Sequence, residues 1–140
     1  QQRGAQDREG TEPSATIPSG AALTAVGMAN QTFISGGPVQ GPVFAFAPII
    51  NQYLQTHLFG AIFERDTLDW QSRELATVGA LSAIPGVEVQ LRSHMRASLR
   101  VGLSPAQLHQ LADALRDAIG PDAAARAHQA LQQALPAPKG

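Results

Sequence analysis

One carboxylate and one imidazole stand out in the run 73–105 of this chain. Glu74 lies ten residues before Ile84, and His94 lies eight residues after Gly86. Two helices that fold back on each other about the Ile-Pro-Gly turn between those arms bring both side chains to a similar height. A carboxylate paired with an imidazole among apolar residues is the usual equipment for proton transfer. The two residues are therefore the first candidate catalytic residues.

A third titratable side chain, His57, lies on an earlier helical segment, one turn from Tyr53 and Leu54. We expect it to point toward the same interior, and it is our third candidate catalytic residue. Burying an unpaired carboxylate costs several kcal/mol or forces its protonation, so Glu74 requires a partner. The available partners are His94, His57 and Arg73.

Each of these residues also has a purely structural interpretation. A histidine on an apolar face is often a hydrogen-bonded core residue, which is the favoured interpretation for His57 taken alone. A carboxylate near a helix N-terminus, such as Glu74, stabilises the helix without any further role. The structural interpretation weakens for Glu74 and His94 because two helices place them together.

Helices are the elements that must position these residues. Apolar residues recur every three or four positions over 43–64, and Asp66 or Asp69 is expected to cap the next helix. Ser104, Pro105 and Gln107 form a capping-box start signal. Because no strand pattern alternates with any strength, the sequence predicts an all-α domain of five or six helices. The predicted helices span 21–34, 43–64, 70–84, 87–101, 105–119 and 121–134.

The helix predicted over 87–101 has two chemically different faces. The apolar face contains His94, and the other face contains arginines at four-residue intervals. This arginine stripe is expected to be solvated or to face another subunit, and its functional alternative is to meet an anionic substrate at a pocket rim. Aromatic residues at 44, 46, 59, 63 and 70 are available to wall a pocket. The candidate substrate-binding residues are Arg73, Arg92, Trp70 and Phe46.

Composition limits the classes of protein that remain. A chain of 140 residues suits one domain, which we expect over 21–140 behind a flexible polar arm over 1–20. A formal net charge of −1 and the lack of a long apolar stretch favour neither nucleic acid nor a membrane as a partner. A start at Gln1 indicates a trimmed chain or a processed export product. The compartment is therefore open between cytoplasmic and periplasmic or secreted.

Metal and cofactor signatures are weak. Two histidines and a glutamate are zinc-ligand types, but no HExxH or similar spacing accompanies them, so we expect no metal. The stretch SGGPVQGP over 35–42 lacks the Lys-Ser/Thr of a phosphate-binding loop and is predicted to be an ordinary Gly- and Pro-shaped loop. We expect no cofactor.

The same hairpin resembles the carboxymuconolactone decarboxylase family, which includes the alkylhydroperoxidase D proteins. The resemblance covers roughly residues 43–118 and rests on RELATVGALSA, a short turn and QLRSHMRASLRVGLSPAQLHQL. It implies an alkylhydroperoxidase D-like helical bundle in which a central antiparallel hairpin forms the site. It also implies homo-oligomers, often trimers or hexamers, with sites near subunit contacts.

The branch of the family is indicated by two positions. The peroxidase branch has a CxxC followed, four residues after the second cysteine, by a histidine. Glu74 and His94 match the family's glutamate and histidine, whereas Val87 and Gln90 occupy the cysteine positions. The resemblance is therefore to a cysteine-free branch, and thiol peroxidase activity should be absent. The segment HLFGAIFERDTLDW, with His57, also resembles a subgroup that includes exported or cupin-associated proteins.

The first functional hypothesis is a cofactor-free lyase that acts on a small carboxylated lactone or a related enolisable compound. Glu74 and His94, or His57, would supply the acid–base chemistry. The alternatives are a non-catalytic oligomeric binding protein with a structural Glu–His pair, and an isomerase or dehydratase that uses the same residues. Access to solvent distinguishes these hypotheses, because an enzyme needs both Glu74 and His94 to line a cavity that opens to solvent, whereas side chains would seal a structural pair.

Overall fold

The computed structural model describes residues 9–136 of the chain, and within them every regular element is helical. The predicted all-α fold is confirmed. Seven α-helices and one π-helix are present where five or six helices were expected, because the segment predicted as one helix over 43–64 is divided. The elements in chain order are α1 Gly20–Ser35, α2 Pro42–Phe46, α3 Pro48–Tyr53, the π-helix Leu54–Ile62, α4 Trp70–Ala83, α5 Glu88–Arg100, α6 Pro105–Ala118 and α7 Pro121–Ala134.

The predicted N-terminal arm is described only in part, since residues 1–8 lie outside the described residues. In the described portion, the backbone N–H of Ser14 donates to Asp66 Oδ1 at 3.0 Å, and its hydroxyl donates to Asp66 Oδ2. The hydroxyl's hydrogen bond is the main cause that lowers the pKa of the Asp66 carboxyl. Asp66 is thus occupied by the arm and does not cap the next helix.

The cap of α4 is Asp69, whose carboxylate accepts a hydrogen bond from the backbone N–H of Ser72 at 2.7 Å. That hydrogen bond lowers the pKa of the Asp69 carboxyl. The helix then runs to Ala83, and the turn 84–87 leads into α5. Gly86 has φ of +85° in that turn, a conformation that favours glycine. The two helices of the predicted hairpin therefore lie side by side.

The end of α5 has a C-terminal cap of the Schellman type. Gly102, at φ of +102°, donates its N–H to the Leu99 carbonyl at 3.2 Å, and Leu103 donates to the Ser98 carbonyl at 3.0 Å. The predicted capping box of α6 is confirmed, because Ser104 and Gln107 exchange hydrogen bonds in both directions.

The main core joins α4, α5, α6 and α7. Leu108, Ala112 and Leu115 of α6 are buried there, whereas Ile119, which follows the end of the helix at Ala118, is exposed. Burying a large aliphatic side chain contributes about 1.5–3 kcal/mol, so this core accounts for much of the stability of the hairpin. Its buried members are Val78, Leu91, Met95, Leu103, Leu108, Ala112, Leu115, Ala127, Ala130 and Leu131.

A second, smaller core connects α1 and the π-helix to α5. It consists of Ile34, Phe63, Ala97 and Val101, with partly buried aromatic residues around them. This core holds the C-terminal end of α1 beside α5. In the described part of the chain, no helix is long and apolar enough to cross a membrane.

Candidate functional site

The two arms of the hairpin bring a carboxylate and an imidazole into direct contact. His94 Nδ1, on α5, lies 2.8 Å from Glu74 Oε2, on α4. The exposed fraction of the side chain is 3% for Glu74 and 38% for His94. The equal arms of the hairpin place the two residues at the same height, as their spacing predicts.

Apolar packing surrounds the carboxylate. Val78, one turn along α4, is completely buried, and so is Met95, which follows His94 on α5. An ionised carboxylate only accepts hydrogen bonds, so Nδ1 of the imidazole is the donor when Glu74 is ionised. Glu74 thereby fixes both the tautomer and the orientation of the ring.

His94 lines an open cleft of about 460 Å³. The α5 wall of the cleft also contains Ser93, Arg96, Ala97 and Arg100. The opposite wall is formed by residues 34–40, where α1 ends and the following loop begins, and by Phe59 of the π-helix. Glu74 does not line this cleft, so the expectation that both residues of the pair reach an open cavity holds for His94 and not for Glu74.

The second ring nitrogen of His94 is the one available to a ligand. In the described part of the chain, no hydrogen bond joins Nε2 to another residue. Among the buried side-chain nitrogen and oxygen atoms there, Ser98 Oγ is the one without a hydrogen-bond partner, so Nε2 is not buried. Nε2 therefore has solvent-accessible surface. The imidazole therefore lines the cleft with an accessible Nε2, while a buried carboxylate holds its Nδ1.

Gly36, on the wall opposite His94, lies close to Arg100 of the α5 wall. Gly36 has φ of +79° and ends α1 by donating its N–H to the Phe33 carbonyl at 3.1 Å. The Arg100 guanidinium donates to the Ile34 carbonyl at 3.0 Å. A Cβ atom on Gly36 would lie 2.4 Å from Arg100 Cζ. The backbone conformation favours glycine at this position, and a Cβ here would displace the end of the flexible Arg100 side chain.

His57 lies elsewhere, and the expectation that it points into the same interior is wrong. Its side chain is exposed and lines a separate apolar cavity of about 400 Å³ with Ile50, Tyr53, Leu54 and Leu58. The helical period predicted a regular α-helix here, but this segment is a π-helix with a Phe63 N–H to Leu58 carbonyl bond of 3.0 Å. The wider turn changes which side chains share a face.

Arg73 and Trp70 stabilise the start of α4 and do not line the cleft of His94. Arg73 donates to the Leu68 carbonyl at 3.0 Å and to the Arg65 carbonyl at 3.2 Å. It is therefore not the partner of Glu74. Trp70 Nε1 donates to the Phe63 carbonyl at 3.0 Å.

The other two candidate substrate-binding residues also lie away from this cleft. Arg92 points toward α7, where its guanidinium is 3.4 Å from Gln133 Oε1. Phe46 is 91% exposed at the end of α2, so it walls no pocket within the described chain. Of the aromatic residues available as walls, Phe59 does line the cleft.

The candidate substrate-binding residues did not include Arg96, Arg100 or the loop 36–40, although a pocket rim was the functional alternative for the arginine stripe. The signal for the arginines was the four-residue stripe on α5, which leads from Arg92 through Arg96 to Arg100. Each four-residue step on an α-helix turns about 40° past one full turn, so the stripe winds around the helix. It starts beside α7 and ends in the cleft.

Within residues 9–136, no group of three or more histidine, cysteine, aspartate or glutamate side chains is placed to hold a metal ion. The chain contains no cysteine at any position. Thiol chemistry, which the peroxidase branch requires, is therefore not available to it.

The fold and the site together define a cysteine-free helical protein with a carboxylate–imidazole pair at an open cleft. The family model described as the carboxymuconolactone decarboxylase family matches residues 49–134. That match covers more than half of the chain and includes the whole hairpin, and the chain belongs to this family. A search of curated proteins finds no match to the chain.

Proposed function

We propose that the protein is a cofactor-free lyase that acts on a small carboxylated lactone or a related enolisable compound. The observation that supports this most directly is the exposure of His94 to an open cleft while its Nδ1 contacts the buried Glu74. A pair with only a structural role has no need of an accessible imidazole nitrogen. Family membership supports the reaction class.

The chemistry of such a decarboxylation defines what the site must do. The bond between the ring carbon and the leaving carboxylate breaks, and carbon dioxide departs. The electron pair of that bond moves through the conjugated double bond into the lactone carbonyl, which becomes an enolate oxygen. A proton is then added to a ring carbon. The site must therefore stabilise one developing negative charge and deliver one proton.

His94 suits the first of these tasks. When both ring nitrogens of His94 carry protons, Nδ1–H donates to Glu74 and Nε2–H donates a hydrogen bond or its proton to the developing enolate oxygen of a substrate in the cleft. Glu74 holds the ring in the orientation that presents Nε2 and stabilises the imidazolium during the reaction. Phe59 and the loop 36–40 cover the opposite side of the cleft and reduce the access of water.

We also propose that the protein is a homo-oligomer, a trimer or a hexamer. An exposed apolar surface on α2 and α3 supports this assembly, since its residues have no covering partner in the described part of the chain. We call it the α2–α3 surface, and it consists of Val43, Phe46, Ile49, Ile50 and Tyr53. Apolar surface of this kind marks an interaction site.

The proposed activity is tested by following the ultraviolet absorbance of 4-carboxymuconolactone with the purified protein. We expect Glu74→Gln and His94→Gln each to lower kcat by about 100-fold or more, because each removes one member of an acid–base pair. Glutamine at either position preserves a hydrogen bond across the pair, so the fold is retained. Circular dichroism checks this.

The matched control is His109→Gln, which changes an exposed histidine on α6 whose ring is hydrogen-bonded to His128 away from the cleft, and it should retain the native rate. His57→Gln tests the remaining candidate histidine. A loss of rate in that variant alone would place the active site at the cavity that His57 lines. No turnover by the native protein would refute the decarboxylase proposal. The structural-pair interpretation would then be preferred.

A further inference from the structure

The cleft beside His94 has an uneven distribution of charge. Two guanidinium groups, those of Arg96 and Arg100, line it, and no aspartate or glutamate does. The carboxylate of Glu74 is buried behind His94 and accepts a hydrogen bond from the imidazole of that residue. The cleft therefore presents an excess of positive charge to anything that enters it.

The two arginines differ in what holds them. Arg100 is fixed against the wall, since it donates to the Ile34 carbonyl and packs against the backbone of Gly36. Arg96 takes part in none of the ion pairs found within residues 9–136, and its side chain is exposed. The guanidinium of Arg100 thus has a structural partner, whereas Arg96 lines the cleft as an exposed residue outside those ion pairs.

We propose that Arg96 binds a carboxylate group of the substrate, with Arg100 as a positioning residue that holds the loop 36–40 and adds a second positive charge. A guanidinium presents paired N–H donors that match the two oxygens of a carboxylate. This inference rests on the proposed function, because it names the substrate-binding residues of the same site. It replaces Arg73 and Arg92 in that role.

Chemistry decides which carboxylate Arg96 binds. A carboxylate that leaves as carbon dioxide loses its charge in the transition state, so an arginine bound to it would stabilise the ground state more and slow the reaction. A carboxylate that stays on the product keeps its charge throughout. Arg96 therefore binds the retained carboxylate, and His94 faces the lactone carbonyl.

The test is calorimetric binding of γ-butyrolactone-γ-acetate, a saturated lactone that carries only the retained carboxylate, beside its methyl ester. We expect the native protein to bind the acid at least about 10-fold more tightly than the ester, because the ester lacks the charged carboxylate that accepts charge-assisted hydrogen bonds from the arginine. Arg96→Gln should weaken binding of the acid by about 10- to 100-fold and leave binding of the ester unchanged. Arg96→Lys should fall between, because it keeps the charge and loses the paired donors.

Two further variants serve as controls. Arg116→Gln removes an exposed arginine of α6 that pairs with Asp113, and it should bind the acid as the native protein does. Arg92→Gln tests the residue on the α7 side of α5. The inference is overturned if the native protein does not bind the acid, if Arg96→Gln binds it as tightly as the native protein, or if Arg92→Gln loses as much affinity as Arg96→Gln.

The binding and turnover experiments test the role of Arg96 and the lyase proposal separately. Binding that depends on Arg96 without turnover of 4-carboxymuconolactone would refute the lyase and keep the anion site. Turnover whose KM is unaffected by Arg96→Gln would keep the lyase and refute the role of Arg96. If both hold, Arg96→Gln raises KM by about 10-fold or more with a smaller change in kcat, because the retained charge is bound equally in the ground and transition states.

Discussion

The hydrogen bond between Glu74 and His94 is asymmetric in its exposure to solvent. Glu74 is almost completely buried, whereas more than a third of the His94 side chain is exposed. Water can replace the partner of His94 but has little access to Glu74. Removing His94 leaves a buried carboxylate without its hydrogen-bond donor. That costs more free energy than leaving the exposed imidazole without its acceptor.

This asymmetry predicts different stabilities for two substitutions of the histidine. We expect His94→Ala to lower the free energy of unfolding by about 1–3 kcal/mol, because it removes the hydrogen-bond donor of a buried carboxylate. His94→Gln should lose less, since its amide N–H can still donate to Glu74. Urea denaturation followed by circular dichroism measures both. Equal stability of native protein and His94→Ala would show that the carboxylate does not need this donor.

At the residue scale, the pairing of Glu74 with His94 could be predicted because the hairpin arms are short and nearly equal. The lining arginines could not be predicted in the same way. Arg92, Arg96 and Arg100 are equivalent in the sequence, and only the positions of α7 and α1 around α5 separate their environments. Such positions depend on packing between distant parts of the chain, which a local periodicity does not contain.

At the scale of elements, the π-helix Leu54–Ile62 is the feature that the apolar period did not predict. It packs against α1 at Gly27, where a Cβ atom would lie 1.8 Å from the Gln55 carbonyl oxygen. A Cβ atom on Gly60 would lie 2.8 Å from Leu23 Cδ1 of α1. A π-helix is rare and is often a single functional turn. Phe59 of this π-helix lines the cleft of His94, so the contact between α1 and the π-helix positions one wall of the site.

The close contact at Gly27 predicts a large effect of one methyl group. Gly27→Ala would force the backbone of the π-helix away from α1, and we expect a loss of about 1–3 kcal/mol in the free energy of unfolding. Gly79→Ala in α4 is the matched control, since its Cβ would meet nothing within 4 Å. That variant should gain about 0.5–1 kcal/mol from helix propensity. Denaturant unfolding compares the two, and a neutral Gly27→Ala would show that the helices separate at little cost.

At the scale of the whole molecule, the exposed α2–α3 surface is what remains to be explained. The helical composition and the element order from α4 to α7 could be predicted from caps, turns and apolar stripes. The role of the segment 42–53 could not be predicted from the sequence. Its apolar residues predict burial, but they do not identify the surface that covers them. Phe46 was expected in a pocket wall, yet it is 91% exposed. Large apolar patches on one chain mark contacts with another molecule.

The proposed homo-oligomer predicts that a charge on this surface separates the subunits. We expect Phe46→Asp to shift the protein from a trimer or hexamer to a single chain in analytical ultracentrifugation, because a carboxylate placed in an apolar interface is costly to bury. Ile119→Asp is the control, since it adds the same charge at an exposed apolar position after α6. A native protein that sediments as a monomer would refute the oligomer. An oligomer that persists in Phe46→Asp as it does in Ile119→Asp would place the subunit contact on another surface.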